Sequence, residues 1–66
     1  MKKYEVHYYD HGDRLLEYML YDCLESAITA GIYWLNNSSV KHKLSYVQIF
    51  RVDNDIDYTT IAELNK

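Results

Sequence analysis

The sequence predicts an α+β domain in which a single helix packs across a mainly antiparallel four-stranded sheet, in the order β-β-α-β-β. One stretch, DCLESAITAGIYWLNN at 22–37, has the apolar periodicity of a helix. Four other stretches are rich in β-branched and aromatic residues and are separated by turn-forming residues. A length of 66 residues, of which 48% are hydrophobic, fits one small globular domain covering 1–66, a two-layer sandwich.

The first two strands are predicted at 3–9 (KYEVHYY) and 14–21 (RLLEYMLY), and their short connection predicts an antiparallel hairpin. The more apolar sides of these strands consist of Tyr4, Val6 and Tyr8 and of Leu16, Tyr18 and Leu20. The two sides share one face of the sheet only if the loop has an odd number of residues, and we expect this shared face to meet the helix. We favour a three-residue loop, Asp10 to Gly12, with Gly12 in the left-handed conformation, over a five-residue loop, Asp10 to Arg14.

The helix is predicted to begin at Asp22, because Asp22 and Glu25 have the spacing of a capping box. Its apolar stripe consists of Leu24, Ile28, Gly31 and Leu35, with Ala27 and Ile32 at the margins. Gly31 costs a helix about 1 kcal/mol relative to Ala. Its place in the stripe therefore predicts close packing of the helix backbone on the sheet. The polar run 36–39 ends the helix.

The third strand is predicted at 44–52 (LSYVQIFRV), with Val47 and Ile49 facing the helix. Asp53 to Asp55 supplies a turn. The fourth strand is predicted at 56–64 (IDYTTIAEL), and the alternative for its second half is a short terminal helix over 61–64.

The predicted sheet has a second face that no helix covers. The large residues assigned to this face are Tyr9, Leu15, Met19, Tyr21, Tyr46 and Phe50. A contiguous apolar patch of this kind is typical of a partner site, and Tyr offers a large contact area at a low entropy cost. We interpret the face as either a homodimer interface, sheet on sheet or edge to edge, or a site for a different protein. Tyr33 and Trp34 on the helix form a second candidate surface.

Two groups of residues could instead carry chemistry. His7, Asp10, His11 and Asp13 surround one hairpin turn. Because these acids are also ordinary turn formers, we favour a solvated turn and predict no metal, no cofactor and no catalytic residue. Cys23 lies near the helix start, where the helix dipole favours the thiolate, but a lone Cys is typically a small buried hydrophobe. A small metal- or thiol-dependent enzyme is therefore the alternative hypothesis.

The charge and the cysteine content limit the partners and the oligomeric states that we expect for this chain. Ten acidic and seven basic residues give a formal charge of −3 with no basic block, so we predict that nucleic acid is not the partner. There is no run of 18 apolar residues and no leader pattern, so we expect a cytoplasmic protein without membrane attachment.

The single cysteine excludes an internal disulfide, which leaves oligomerisation as the route to added stability. We therefore expect a homodimer, and a small homodimeric accessory protein is a further reading.

In size and composition the whole chain resembles the small, acidic, tyrosine- and asparagine-rich, proline-free proteins that phages and other mobile elements encode. Some of these proteins inhibit host defences, including CRISPR nucleases. The resemblance has no motif. It implies a non-enzymatic, stoichiometric binder that occludes a surface of a larger host protein. Acidic residues in the two predicted turns could meet a basic groove on that protein, namely Asp10, Asp13, Asp53, Asp55 and Asp57.

Overall fold

The computed structural model describes residues 3–37, 44–53 and 57–65 and confirms the α+β prediction. Its elements are β1 (Tyr4–Asp10), β2 (Leu15–Tyr21), α1 (Leu24–Asn37), β3 (Leu44–Asp53) and β4 (Asp57–Asn65). All neighbouring strands are antiparallel, and the sheet order is β2-β1-β3-β4. The two central strands are therefore β1 and β3, whereas β2 and β4 are edges. The alternative of a terminal helix over 61–64 is wrong, since these residues belong to β4.

The core lies between α1 and the two central strands. Its buried residues are Val6, Tyr8, Ala27, Leu35, Leu44, Val47 and Ile49. Val6 pairs with Ile49 and Tyr8 with Val47, so these four side chains point to the same side of the sheet. The periodicity of β1 and β3 thus places their apolar residues under the helix as predicted.

Gly31 is the point of closest approach between α1 and the sheet. A Cβ atom at this position would lie 3.0 Å from Leu64 Cδ1 and 3.4 Å from Val47 Cγ1. The helix backbone therefore packs directly on side chains of β3 and β4, which confirms the interpretation of this glycine. Ile32, expected at the margin of the apolar stripe, is instead 47% exposed.

The helix begins one residue later than the capping-box spacing predicts. The Cys23 carbonyl accepts a hydrogen bond from the Ala27 amide at 3.2 Å, so Cys23 occupies the N-cap position. Its thiol donates to Ser26 Oγ at 3.2 Å. Asp22 lies before this position, in the two-residue connection between β2 and α1, so the prediction that it caps the helix was wrong.

The turn between β1 and β2 contains three residues, as predicted, but they are His11, Gly12 and Asp13. The Asp10 amide donates to the Arg14 carbonyl at 3.0 Å, which closes the loop at this position. The Asp10 carboxylate also accepts hydrogen bonds from the amides of Gly12 (2.8 Å) and Arg14 (2.9 Å). These bonds fix the turn, and Asp13 rather than Gly12 takes the left-handed conformation, with φ 63°.

A β-bulge follows immediately in β2. Tyr8 pairs with Glu17 and Tyr9 pairs with Leu15, so Leu16 is an extra residue on β2. The odd-numbered loop alone would have put the apolar sides of both strands together. The bulge reverses this parity, because one inserted residue exchanges the two faces of every later residue in the strand.

The consequence is that the predicted faces of β2 are exchanged. Tyr18 and Leu20 lie opposite His7 and Glu5, on the side away from the helix. Met19 and Tyr21 lie opposite Val6 and Tyr4, on the helix side. The sequence-based assignments of Tyr18 and Leu20 to the helix face, and of Met19 and Tyr21 to the uncovered face, were therefore wrong.

The core contains one buried polar group without a hydrogen-bond partner in the described residues, the Tyr8 hydroxyl. Because an unsatisfied buried hydroxyl is unfavourable, Tyr8→Phe should raise the free energy of unfolding by about 1 kcal/mol, measured by urea denaturation at pH 7.

Burial, reinforced by the nearby Tyr21 and Glu17, raises the pKa of Tyr8. The folded state therefore holds this proton more tightly than the unfolded state, and stability falls as the pH rises above about 10.

The same substitution should weaken that alkaline loss of stability, since Phe has no proton to release. Urea midpoints of both proteins at pH 7 and at pH 10.5 or above measure both effects. A Tyr8→Phe protein that is less stable at pH 7 would show that the hydroxyl makes a favourable contact.

None of the helices in the described part of the chain has the length and apolar character needed to cross a membrane.

Candidate protein-binding face

In the part of the chain that the structure describes, α1 covers one face of the sheet, and we call the opposite face the open face. Residues that pair across neighbouring strands lie on the same face of the sheet, because directly opposed side chains point to the same side. The principal members of the open face are Glu5, His7, Tyr9, Leu15, Tyr18, Leu20, Tyr46, Gln48, Phe50, Tyr58, Thr60 and Glu63. The core holds α1 against the opposite side of the sheet.

A cluster of rings occupies the centre of the open face. The His7 ring lies 4.7 Å from Phe50, 5.8 Å from Tyr18 and 6.4 Å from Tyr9, measured between centroids. Tyr9 and Tyr46 are stacked, with centroids 4.8 Å apart and an interplanar angle of 15°. Four of these rings lie on the two central strands, and that of Tyr18 lies on the edge strand β2.

A carboxylate joins the middle of the cluster to one edge of the sheet. Glu5 Oε1 lies 2.9 Å from His7 Nε2, and the side chains of His7 and Glu5 are only 18% and 12% exposed. The Tyr58 hydroxyl donates to Glu5 Oε2 at 2.9 Å, and its ring meets Phe50 edge to face at 6.1 Å. The orientations of His7 and Tyr58 are therefore fixed by hydrogen bonds as well as by packing.

A second hydrogen bond ties the face to the β1–β2 turn. The Tyr46 hydroxyl donates to Asp13 Oδ1 at 3.0 Å. Desolvation and the adjacent Asp13 carboxylate raise the pKa of Tyr46, so the hydroxyl keeps its proton. Farther along β3, Gln48 Nε2 donates to Glu63 Oε1 at 3.3 Å. Polar links thus surround the aromatic centre of the open face.

Several large side chains on this face remain accessible to solvent. The exposed fraction is 55% for Tyr18, 50% for Tyr58, 48% for Leu15 and 44% for Leu20. They flank the half-buried rings on the edge strands β2 and β4. The open face therefore combines an ordered aromatic centre with exposed apolar side chains on both edges.

The sequence-predicted partner residues divide into two groups. Tyr9, Leu15, Tyr46 and Phe50 lie on the open face as expected, whereas Met19 and Tyr21 lie on the helix side because of the bulge in β2. Sequence reasoning missed the open-face residues His7, Tyr18, Leu20 and Tyr58. The alternation of β2 permits either face, and no signal in the sequence marks the bulge that decides between them.

The predicted acidic contacts have different environments. The Asp10 carboxylate accepts hydrogen bonds within its own turn. The backbone amide of Arg14, together with that of Gly12, lowers the pKa of this carboxylate. Asp53 lies 3.3 Å from Arg51 Nε, and both side chains are about half exposed. Asp55 lies outside the described residues. Asp57 pairs with Asp53 across β3 and β4, and Asp13 contacts the ring cluster through Tyr46.

The alternative chemical groups are not assembled into one site. His7 pairs with Glu5 on the open face, whereas Asp10 accepts hydrogen bonds within the turn. Within residues 3–37, 44–53 and 57–65, no group of three or more His, Cys, Asp or Glu residues could hold a metal ion. Cys23 is exposed, and its hydrogen bonds with the Ser26 side chain and backbone lower the pKa of its thiol.

The outer surface of α1 carries the second candidate surface. Tyr33 is 56% exposed and Trp34 is 42% exposed, and their rings meet edge to face at 5.6 Å. These two rings line a shallow groove together with Glu25, Ser26, Thr29 and Ala30. Among the residues that line this groove, two are aromatic.

Comparison with known proteins gives no match to a family model, to a curated protein or to a solved structure.

Proposed function

We propose that this chain is a non-enzymatic protein-binding module that docks on a larger protein through its open face. The observation that carries the proposal is the hydrogen-bonded ring cluster on the sheet face opposite α1. Tyrosine-rich surfaces with a polar rim are typical of protein interfaces.

Preorganisation supports this function. A side chain that becomes fixed only on binding loses about 0.5 to 1.5 kcal/mol of rotamer entropy. His7, Tyr46 and Tyr58 are already held by hydrogen bonds to Glu5 and Asp13. Much of the cost of ordering these rings is therefore met during folding, and more of the contact energy contributes to affinity.

The charge of the face favours a basic partner surface. The open-face strand residues include the carboxylates of Glu5 and Glu63, whereas Arg51, the one Lys or Arg in the described strands, lies opposite Tyr4 on the helix side. The formal charge of the whole chain is −3. An arginine of the partner could stack on the exposed rings and face these carboxylates, an arrangement that strengthens at low salt.

The finer proposal is that binding occludes a functional surface of the partner, as in the phage-encoded inhibitors that the chain resembles in composition. Such a role needs no catalytic residue and no cofactor. It needs only a rigid surface of suitable charge, and we propose that it operates in the cytoplasm of the host cell.

The test uses paired surface variants and a bacterial lysate. We expect the double variant Tyr18→Ser/Tyr58→Ser to lose affinity for the captured protein by about a hundredfold or more, because exposed aromatic anchors dominate interface energetics. The matched control is Tyr33→Ser/Trp34→Ser, which removes two similarly exposed rings from α1. Circular dichroism verifies that both variants fold, and affinity is measured by surface plasmon resonance at several salt concentrations.

The proposal requires a protein that binds wild type and the α1 variant but not the open-face variant, with affinity that decreases as salt is added. Equal loss in both variants, or unchanged binding by the open-face variant, would contradict it. Loss in the α1 variant alone would move the site to the helix.

A further inference from the structure

The edge strand β2 differs from the rest of the sheet in its exposure. Six of its seven residues are exposed, and the seventh, Tyr21, is partly buried. Its large apolar side chains are 42–55% exposed on both faces of the sheet, namely Leu15, Leu16, Tyr18, Met19 and Leu20. Only Glu17 is charged. In the described part of the chain, β2 has a neighbouring strand on one side only.

The opposite edge provides an internal comparison. β4 has the sequence DYTTIAELN and contains two acidic residues, two threonines and an asparagine, and a bulge interrupts its pairing with β3. Natural edge strands avoid unwanted pairing by such charges and bulges. β2 has only one charge, Glu17, and its bulge lies at its first residues, so the edge continues through 18–21 with no further charge or irregularity.

We propose that β2 pairs antiparallel with β2 of a second copy, so that two four-stranded sheets join into one continuous sheet. A row of unpaired backbone N–H and C=O groups requires a strand as its partner, and an identical strand closes the edge with two-fold symmetry. This proposal does not rest on the proposed function, because it concerns the strand edge. Tyr18 belongs both to this edge and to the open face, so the variants that test the dimer are placed at Met19, on the helix side.

Symmetry and charge select the register. An antiparallel two-fold axis perpendicular to the sheet passes through a residue that faces its own copy. An axis at Tyr18, the midpoint of Leu15–Tyr21, allows the longest overlap and places Glu17 opposite Met19 of the other copy. An axis at Glu17 would instead oppose two carboxylates, which is unfavourable. We therefore assign the pairing centred on Tyr18.

The first experiment measures mass by light scattering over a wide range of concentrations. We expect wild type to reach twice the monomer mass of 7.9 kDa. Met19→Glu should raise the dimer dissociation constant by at least about tenfold, since it places a carboxylate opposite Glu17 of the other copy at two symmetric positions. Met19 is 43% exposed and lies on the helix side, so the change leaves the open face intact. Ile61→Glu, at a 39% exposed position on β4, is the matched control and should remain dimeric.

A charge reversal tests the register. Met19→Lys should keep or strengthen the dimer, because the ammonium would face Glu17 of the other copy. Hydrogen exchange of wild type at low and high concentration is a second readout that needs no variant, and dimerisation should slow exchange of β2 amides but not of β4 amides. A monomer at all concentrations, or a dimer that survives Met19→Glu, would overturn the proposal. A dimer that Ile61→Glu dissociates equally, or that Met19→Lys disrupts, would also overturn it.

Discussion

Replacing Ile49 with Ala is expected to lower the free energy of unfolding by about 2 to 5 kcal/mol, the range for isoleucine truncation in a core. Ile49 is fully buried on β3, where it pairs with Val6 on one side and with Ala62 on the other. Truncation leaves a cavity between α1 and the two central strands, which the neighbouring side chains can fill only in part. The total stability of a domain of this size is about 3 to 10 kcal/mol. The substitution therefore removes a large part of it.

The control is the same substitution at Ile61, which is 39% exposed on the edge strand β4. Ile61→Ala should cost less than about 1 kcal/mol, because little of this side chain leaves the interior and no closed cavity forms. Urea denaturation of both variants, monitored by tyrosine fluorescence and circular dichroism, gives the two values. Similar losses at the two positions would contradict the burial on which the core assignment depends.

Replacing Gly31 with Val is expected to destabilise the protein by about 2 to 4 kcal/mol. The added Cβ would lie 3.0 Å from Leu64 Cδ1 and 3.4 Å from Val47 Cγ1, and the two methyl groups of Val have no space between these side chains. Overpacking of a well-filled core typically costs about 1 to 3 kcal/mol, and the displaced helix would lose further contacts. Thermal and urea unfolding measure the loss.

Gly31→Ala separates packing from helix propensity. Alanine favours the helix by about 1 kcal/mol relative to glycine, which offsets the close contact with the flexible end of Leu64. We expect a net change within about 1 kcal/mol. Helix propensity alone makes Val less favourable than Ala by at most about 0.7 kcal/mol. A difference between the two variants no larger than this would show that the helix does not pack closely at Gly31.

Much of the candidate site follows from the two central strands. The alternation of β1 and β3 assigned Val6, Tyr8, Val47 and Ile49 to the helix side, and Tyr9, Tyr46 and Phe50 to the open face. The β1–β3 pairing is regular from Tyr4 to Tyr9, and its one shift lies beyond these residues, between Tyr9 and Asp10, so the alternation keeps its parity over this stretch. These assignments therefore agree with the structure.

The edge strand β2 shows where such reasoning fails. The prediction from its alternation assumed a regular strand. Because of the bulge at Leu16, this prediction assigned Tyr18 and Leu20 to the wrong face. An edge strand has only one ladder to satisfy, so an extra residue disturbs fewer hydrogen bonds there. The ring of Tyr18 consequently lies 5.8 Å from that of His7, in a cluster that the sequence did not predict.

What the sequence by itself determined is the set of elements, their order and the close approach at Gly31, because these depend on periodicity and on turn chemistry within a few residues. The tertiary structure alone decided the strand order β2-β1-β3-β4, the position of the helix cap at Cys23 and the face on which each β2 residue lies. Each of these depends on contacts between distant segments. Local patterns set the preferences of each segment, whereas pairing and packing between segments select one arrangement among several that those preferences allow.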